Sequence, residues 1–359
     1  MHANEAIAEA AIRAGCVFYA GQPITPHTEI LEYMATQLPA RGGQFILAAN
    51  EVVASNMVYG AAIGGARAMT SSSSTGISLM QEVFSLMSSM EVPCVIVNMA
   101  RGGPGLGNLG PSQGDYFQST RGGGHGGYRH IVLGPATTQE AVELTMLAFH
   151  LSDKWRTPAV ILGDAALAET RETVVFPEPP DSSDLPPKDW ALTGATGRPP
   201  SKLSVISMVE TAAQAEHNRE LQAKWERLEQ EEARWEETNI EGAEVLVVCF
   251  GIAARNTRLV LRELRAEGKQ VGFFRPITLW PFPSQQLRDA VARSGARAVL
   301  VIELSAGQMV EDVRLALNGA LPVELARYMG GTMPARSDVR RDMLDALAKY
   351  GVVREASAL

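Results

Sequence analysis

Cysteine, aromatic rings and long apolar runs are all scarce in this chain of 359 residues, and each shortage removes a class of function. The three cysteines, Cys16, Cys94 and Cys249, stand far apart, each inside an apolar run. So few sulfurs at such spacing exclude a disulfide framework, a zinc site or a four-cysteine iron–sulfur cluster. The thiols read as reduced core residues, and any redox cluster belongs to a partner chain. No stretch approaches the roughly 18 to 20 consecutive apolar residues of a membrane span. The start of the chain lacks the basic flank and apolar core of a signal peptide, so the cytoplasm is the expected address. A net charge of −8 leaves no basic excess for a nucleic-acid surface. Nucleotide signatures are missing too. No Gly-x-Gly-x-x-Gly follows the first strand, and no Lys-Ser or Lys-Thr completes a phosphate loop, which argues against NAD and ATP.

What is present describes an ordinary globular protein, with 46% hydrophobic and 20% charged residues. The length predicts two domains, because single cores stop growing at about 250 to 300 residues. Short apolar runs near 17–20, 44–48, 67–70, 94–99, 130–133 and 159–162 alternate with helical periodicity at 5–14, 28–37, 52–63, 78–90 and 138–151. This is the pattern of six βα units, an α/β doubly wound, mostly parallel sheet with helices on both faces. Residues 1–175 are therefore assigned to a first domain. Residues 176–240 read as a proline-rich linker, through Pro199 and Pro200, and then a charged amphipathic helix with a stripe of Leu221, Trp225, Leu228 and Trp235. Residues 241–359 form a smaller α/β domain, with strands near 245–250, 270–274 and 298–303 and helices near 254–266, 284–293 and 309–317. The run Ser71-Ser72-Ser73-Ser74 is too short to count as low complexity.

Three loops just beyond probable strands carry the candidate chemistry, since open α/β sheets bind ligands at the carboxyl ends of their strands. In Gly21-Gln22-Pro23-Ile24-Thr25-Pro26 the hydroxyl of Thr25 is held between two prolines, as preorganised hydrogen bonding requires; an ordinary proline turn is the plainer reading. Glu51 opens a helix after Asn50, where a carboxylate serves either as a capping acid or, facing a poorly hydrated crevice, as a proton relay. Arg101 opens the glycine-rich run Gly102-Gly103-Pro104-Gly105-Leu106-Gly107, where a ligand can approach the backbone and pair its carboxylate with the guanidinium. A second cluster, Gly122-Gly123-Gly124-His125-Gly126-Gly127, suits a flap over a substrate, with His125 its titratable group; His27 opens the helix after the proline loop. In the second half, Arg275-Pro276-Ile277-Thr278-Leu279-Trp280-Pro281 reads as a rigid aromatic connection for packing and subunit contact. The helix start at Gly307-Gln308-Met309-Val310-Glu311-Asp312 offers a weaker anion site.

Taken together, these segments and Asn56-Met57-Val58-Tyr59-Gly60-Ala61 resemble the alpha subunit of the thiamine-diphosphate-dependent 2-oxoacid:ferredoxin oxidoreductases, over roughly residues 3 to 350. The resemblance implies a pyrimidine-binding domain followed by a transketolase C-terminal-like domain. The family's Gly-Asp-Gly and following Asn are missing here, so the cofactor would be shared with a beta subunit holding Mg2+, the diphosphate and a [4Fe-4S] cluster. Gamma and ferredoxin-like delta subunits are implied as further partners. By motif position Glu51 would hydrogen-bond the aminopyrimidine and promote formation of the ylid, with Pro23 and Ile24 beside the cofactor. Thr25 and Arg101 would bind a 2-oxo acid. The implied reaction converts that acid and CoA to an acyl-CoA and CO2, with electrons passing to ferredoxin. The glycine-rich segments look most like the branched-chain (2-oxoisovalerate) members. Gln22 stands where the family commonly has tyrosine, and His27 where a small serine is usual. Both positions, with His125, are candidate substrate-pocket residues, and the change leaves aromatic 2-oxo acids or 2-oxoglutarate open as substrates. A non-catalytic assembly subunit is the rival reading.

Overall fold

The computed structural model of the chain describes residues 1–194, 196, 197, 203 and 211–351. In the first half, apolar runs form strands β1 (Phe18–Gly21), β2 (Gln44–Leu47), β3 (Ala68–Ser72), β4 (Val95–Ala100), β5 (Ile131–Leu133) and β6 (Ala159–Asp164). They pair in parallel in the order β5-β6-β4-β3-β1-β2, as the alternating pattern predicts. Every residue of β3, β4 and β6 is buried, which explains the mostly apolar sequences of β4 and β6; β3 ends instead in the polar Thr70, Ser71 and Ser72. The helices of this half are α1 (Ala3–Arg13), α2 (Thr28–Ala40), α3 (Glu51–Ile63), α4 (Thr75–Ser89), α5 (Tyr116–Arg121), α6 (Thr138–Trp155) and α7 (Ala165–Glu169). Among these α1 packs on α2 and α6, while α3 packs on α4. Right-handed crossovers account for that division. The chain steps outward from β1 to β2 through α2, then returns across β1 to β3 through α3. The strand order thus reverses between β1 and β3, and a crevice opens beyond their carboxyl ends.

The second half begins with α8 (Thr211–Glu231) and β7 (Trp235–Thr238), followed by β8 (Val245–Val248), α9 (Gly251–Ala266), β9 (Val271–Pro276) and β10 (Thr278–Trp280). Then come α10 (Ser284–Ser294), β11 (Ala298–Glu303), α11 (Met309–Leu317), β12 (Val323–Arg327) and α12 (Arg336–Tyr350). The second sheet runs β12-β11-β8-β9-β7, parallel except for β7. All three cysteines are buried and free. Among the described residues no helix is long and apolar enough to cross a membrane.

Several elements depart from the sequence expectations. Leu221, Trp225 and Leu228 are buried on α8, but Trp235 lies beyond the end of that helix, in β7, and is 40% exposed. Its spacing mimics a helical stripe, yet the segment is held by pairing with β9 opposite Pro276. The aromatic connection after Arg275 contains β10, which crosses to the first sheet and covers its edge by antiparallel pairing with β5. Trp190, in the proline-rich stretch, is buried against Arg156, and the Leu192 amide donates to the Ile63 carbonyl. Pro199 and Pro200 lie outside the described residues. The anion site at the start of α11 is filled from within the chain. Glu303 accepts the backbone N–H groups of Gln308, Met309 and Val310 at 2.9, 3.1 and 2.7 Å.

Polar contacts fix the two sheets against each other. The Gln113 side chain donates to the Phe250 carbonyl at 2.8 Å and accepts from the Leu304 amide at 2.9 Å. Tyr116 donates to Asp312 at 2.6 Å, and Gln308 donates to the Gly114 carbonyl at 2.7 Å. On the far side, fully buried Arg275 of β9 donates two hydrogen bonds, of 2.7 and 3.0 Å, to Glu140 of α6. Removing one member of a buried pair costs about 3 to 5 kcal/mol, and water reaching Glu140 places this pair at the low end of that range. Arg275→Met is therefore expected to lower the unfolding free energy by about 3 kcal/mol in urea denaturation. A loss below about 1 kcal/mol, a typical exposed pair, would contradict the buried-pair reading.

Candidate active site

The carboxyl end of β3 and the first turn of α4 organise the crevice. Ser71, Ser72 and Ser73 are fully buried, and the hydroxyls of Ser72 and Ser73 have no hydrogen-bond partner among the described residues. Ser71 Oγ lies 2.6 Å from the Tyr19 hydroxyl and 3.0 Å from Nδ1 of His27. Ser74 donates to Asp115 at 2.7 Å and accepts the Arg101 backbone N–H at 3.0 Å. Its own amide donates to Asn98 Oδ1 at 3.1 Å, and Asn98 in turn donates to Asp115 at 2.9 Å.

Glu51 sits on the other side of this turn. It is the first residue of α3, where Asn50 caps the helix by accepting the Val53 amide at 2.9 Å. Glu51 is only 9% exposed, and among the described residues none donates a hydrogen bond to its side chain. Gly76 explains the close approach: a Cβ there would stand 2.8 Å from Glu51 Oε1 and would collide with the Ser72 hydroxyl. The buried Ser72 oxygen is itself without a partner.

Arg101 is the third corner. Only 7% exposed, it donates to the Thr25 carbonyl at 2.9 Å and to the Leu106 carbonyl at 3.2 Å, with Thr75 Oγ1 at 3.4 Å. Guanidinium carries five donors, and the buried Nε remains unpaired. The following loop folds tightly: Gly107 has φ +63°, and a Cβ there would strike the Gly102 carbonyl. Asn108 then donates to the Gly330 carbonyl of the second half at 2.8 Å, and Gly110 lies directly against Gly331.

The fold thus brings Thr25, Arg101 and Glu51 around one turn. Pro23 and Thr25 are exposed at the crevice, while Gln22 and Ile24 are half-buried. His27 is placed differently from the pocket wall that its sequence position suggested. It is fully buried beneath the proline loop, hydrogen-bonded to Ser71, and burial pushes its imidazole down to about 4. His125 is exposed on its glycine segment, whose Gly123 and Gly124 amides donate to the Tyr128 hydroxyl, with Gly123 also donating to Gln81.

Beside Arg101 a cavity of about 500 Å3 opens between the two halves. Its walls include Arg101, Pro104 and Asp115 from the first half and Ala306, Gln308 and Met329 from the second. Burial raises the Asp115 carboxyl above its ordinary range, against the hydrogen bonds from Asn98 and Ser74. Sequence reasoning missed Asp115, Asn98 and the serine run. A polar Asn inside the otherwise apolar β4 was the available signal; the serines carried none beyond their number.

Residues 9–240 match the family described as pyruvate flavodoxin/ferredoxin oxidoreductase, thiamine diphosphate-binding, and residues 243–339 match pyruvate:ferredoxin oxidoreductase core domain II. This chain belongs to the 2-oxoacid:ferredoxin oxidoreductase family. Within that family of multi-subunit enzymes it is an alpha-type subunit. It is 46% identical over 337 residues to ketoisovalerate oxidoreductase subunit VorB of Methanothermobacter thermautotrophicus, covering 94% of each chain. To 2-oxoglutarate synthase subunit KorA of Methanocaldococcus jannaschii it is 34% identical, covering 96% of this chain and 98% of that one. Among solved structures it is similar to 2-oxoglutarate:ferredoxin oxidoreductase from Magnetococcus marinus, solved with 2-oxoglutarate, coenzyme A and succinyl-CoA bound, with a TM-score of 0.84 and 25% identity. That match covers 97% of this chain but only 65% of the other.

The buried histidines give the oxidoreductase subunit a testable pH dependence. His130 is lowered to about 4 by burial in the same way as His27. An unfolded imidazole takes up its proton near 6.5, whereas these folded ones remain neutral until about 4. Their contribution to stability is thus complete above about pH 6.5 and is lost as pH falls toward 4. Replacing His27 by Gln should remove about half of the histidine proton uptake on unfolding between about pH 6.5 and 5, read from denaturation midpoints. An unchanged slope would mean that His27 is charged in the fold.

Proposed function

We propose that this chain supplies the pyrimidine-binding half of a thiamine diphosphate site in a heteromeric enzyme that oxidatively decarboxylates a 2-oxo acid with CoA. The observation that carries this reading is the unpaired, nearly buried Glu51 carboxylate, separated by one helical turn from a guanidinium with a free donor. Both groups fit the cofactor and substrate. A carboxylate without a donor from its own chain can accept the N–H of a heterocycle, and the side-chain-free wall at Gly76 leaves that oxygen accessible. When bound, thiamine diphosphate supplies the carbon nucleophile and electron sink for decarboxylation.

Glu51 would hold the aminopyrimidine ring by a charge-assisted hydrogen bond and set its protonation. Pro23 and Ile24 would flank that ring. Arg101 would neutralise the carboxylate of the 2-oxo acid, held in place by the Thr25 carbonyl, and the Thr25 hydroxyl would orient the substrate. In this reading residues 1–175 form the pyrimidine-binding unit, 176–240 the linker and bridging helix, and 241–359 the C-terminal unit. A beta subunit would contribute the diphosphate site, Mg2+ and a [4Fe-4S] cluster, and gamma and delta subunits would carry electrons to ferredoxin, in the cytoplasm. The extent of the similarity to VorB favours a branched-chain substrate such as 2-oxoisovalerate.

In the complex purified with its native partners, Glu51→Gln should lower kcat by about 100-fold or more while assembly is preserved. Wild-type turnover in that variant would end the proposal for Glu51. Arg101→Gln should raise KM for the 2-oxo acid about tenfold to hundredfold, the loss of a charged hydrogen bond; an unchanged KM would remove Arg101 from substrate binding. Gly76→Ala should weaken thiamine diphosphate binding at least about tenfold, measured by titration of the cofactor-stripped complex, because the added methyl presses on Glu51.

A further inference from the structure

The cavity between the two halves has an uneven distribution of charge. Among its described lining residues, Arg101 and Asp115 are the charged ones, and both come from the first half. The second half contributes Leu304, Ser305, Ala306, Gln308, Met329 and Gly330, without a cation. Pro104, Ala306 and Met329 are exposed apolar or small residues around this space, with Met329 at 55%. Its volume of about 500 Å3 lies within the usual range of small-ligand pockets, about 300 to 1,000 Å3.

We propose that this cavity receives the side chain of the 2-oxo acid, so that Pro104, Ala306 and Met329 select an aliphatic chain over one ending in a second carboxylate. The inference rests on the reading of Arg101 as the anchor of the substrate's first carboxylate. With that guanidinium engaged, a distal carboxylate entering the cavity meets no second cation among the described lining residues and lies near the acid Asp115, whose carboxyl is held by Ser74 and Asn98. Leaving water for such a wall is costly for a charge and favourable for methyl groups. The specificity of the site is thereby divided: Arg101 recognises what all 2-oxo acids share, and Pro104 and Asp115 of the first half together with Ala306 and Met329 of the second distinguish them. The contacts of Gln113, Gln308 and Asn108 across the boundary hold that wall in place.

Met329→Lys tests this, because an exposed position accepts lysine without disturbing a core. In the complex with its native partners, the ratio of kcat/KM for 2-oxoglutarate to that for 2-oxoisovalerate should rise by about tenfold or more. A second readout uses no turnover: the unreactive 2-hydroxyglutarate should gain affinity relative to 2-hydroxyisovalerate by a similar factor. Ala306→Lys, also on the exposed wall, gives an independent second variant should the first fail to assemble. Unchanged ratios in an assembled complex would overturn the proposal, as would wild-type preference for the dicarboxylic acid. Failure of the underlying reading is distinct: Arg101→Gln would then leave the affinity of both hydroxy acids unchanged.

Discussion

Among the described residues Glu51 and Arg101 form no ion pair with each other, and the first turn of α4 touches both. Thr75 lies beside the Arg101 guanidinium, Gly76 leaves room for Glu51, and Ser74 ties the turn to Asp115 and to the Arg101 backbone. Arg101 donates to two carbonyl oxygens, which carry no net charge and so leave its positive charge unneutralised. Glu51 keeps its acceptor capacity because its support comes from the helix N-terminus and the Asn50 cap.

The second half contributes by position. Its sheet is fastened to the first through Gln113, Tyr116 and Gln308 on the crevice side and through Arg275 and Glu140 on the far side. The pairing of β10 with the edge of the first sheet makes the boundary a shared structure. A cavity built across such a boundary has walls of separate origin, which allows the residue that anchors a substrate and those that judge its side chain to differ independently.

The parallel sheet was legible in the sequence because its central strands β4 and β6 are buried throughout and read as mostly apolar runs. β7 and β12 were not, since half-buried edge strands such as Trp235–Thr238 and Val323–Arg327 carry polar residues and resemble loops or helix ends. Of the site, Thr25, Glu51 and Arg101 were accessible to reasoning because each follows a strand in a marked loop. The supporting layer was hidden. Ser71 and Ser74 are small polar residues whose roles arise from contacts with His27 and Asp115, more than forty positions away in sequence for each pair. His27 shows the converse: its position beside Thr25 suggested a pocket wall, but the turn after Pro26 directs the imidazole inward to Ser71.

In the proposed site one turn holds the Glu51 carboxylate and the Arg101 guanidinium for separate ligands. A cryo-electron microscopy map of the assembled complex with thiamine diphosphate and an unreactive 2-hydroxy acid tests it most directly. The account predicts the aminopyrimidine ring within hydrogen-bond distance of Glu51 and the acid's carboxylate on Arg101, with Gly76 against the Glu51 carboxylate. A heterocycle bound away from Glu51, or Arg101 paired directly with Glu51, would contradict it.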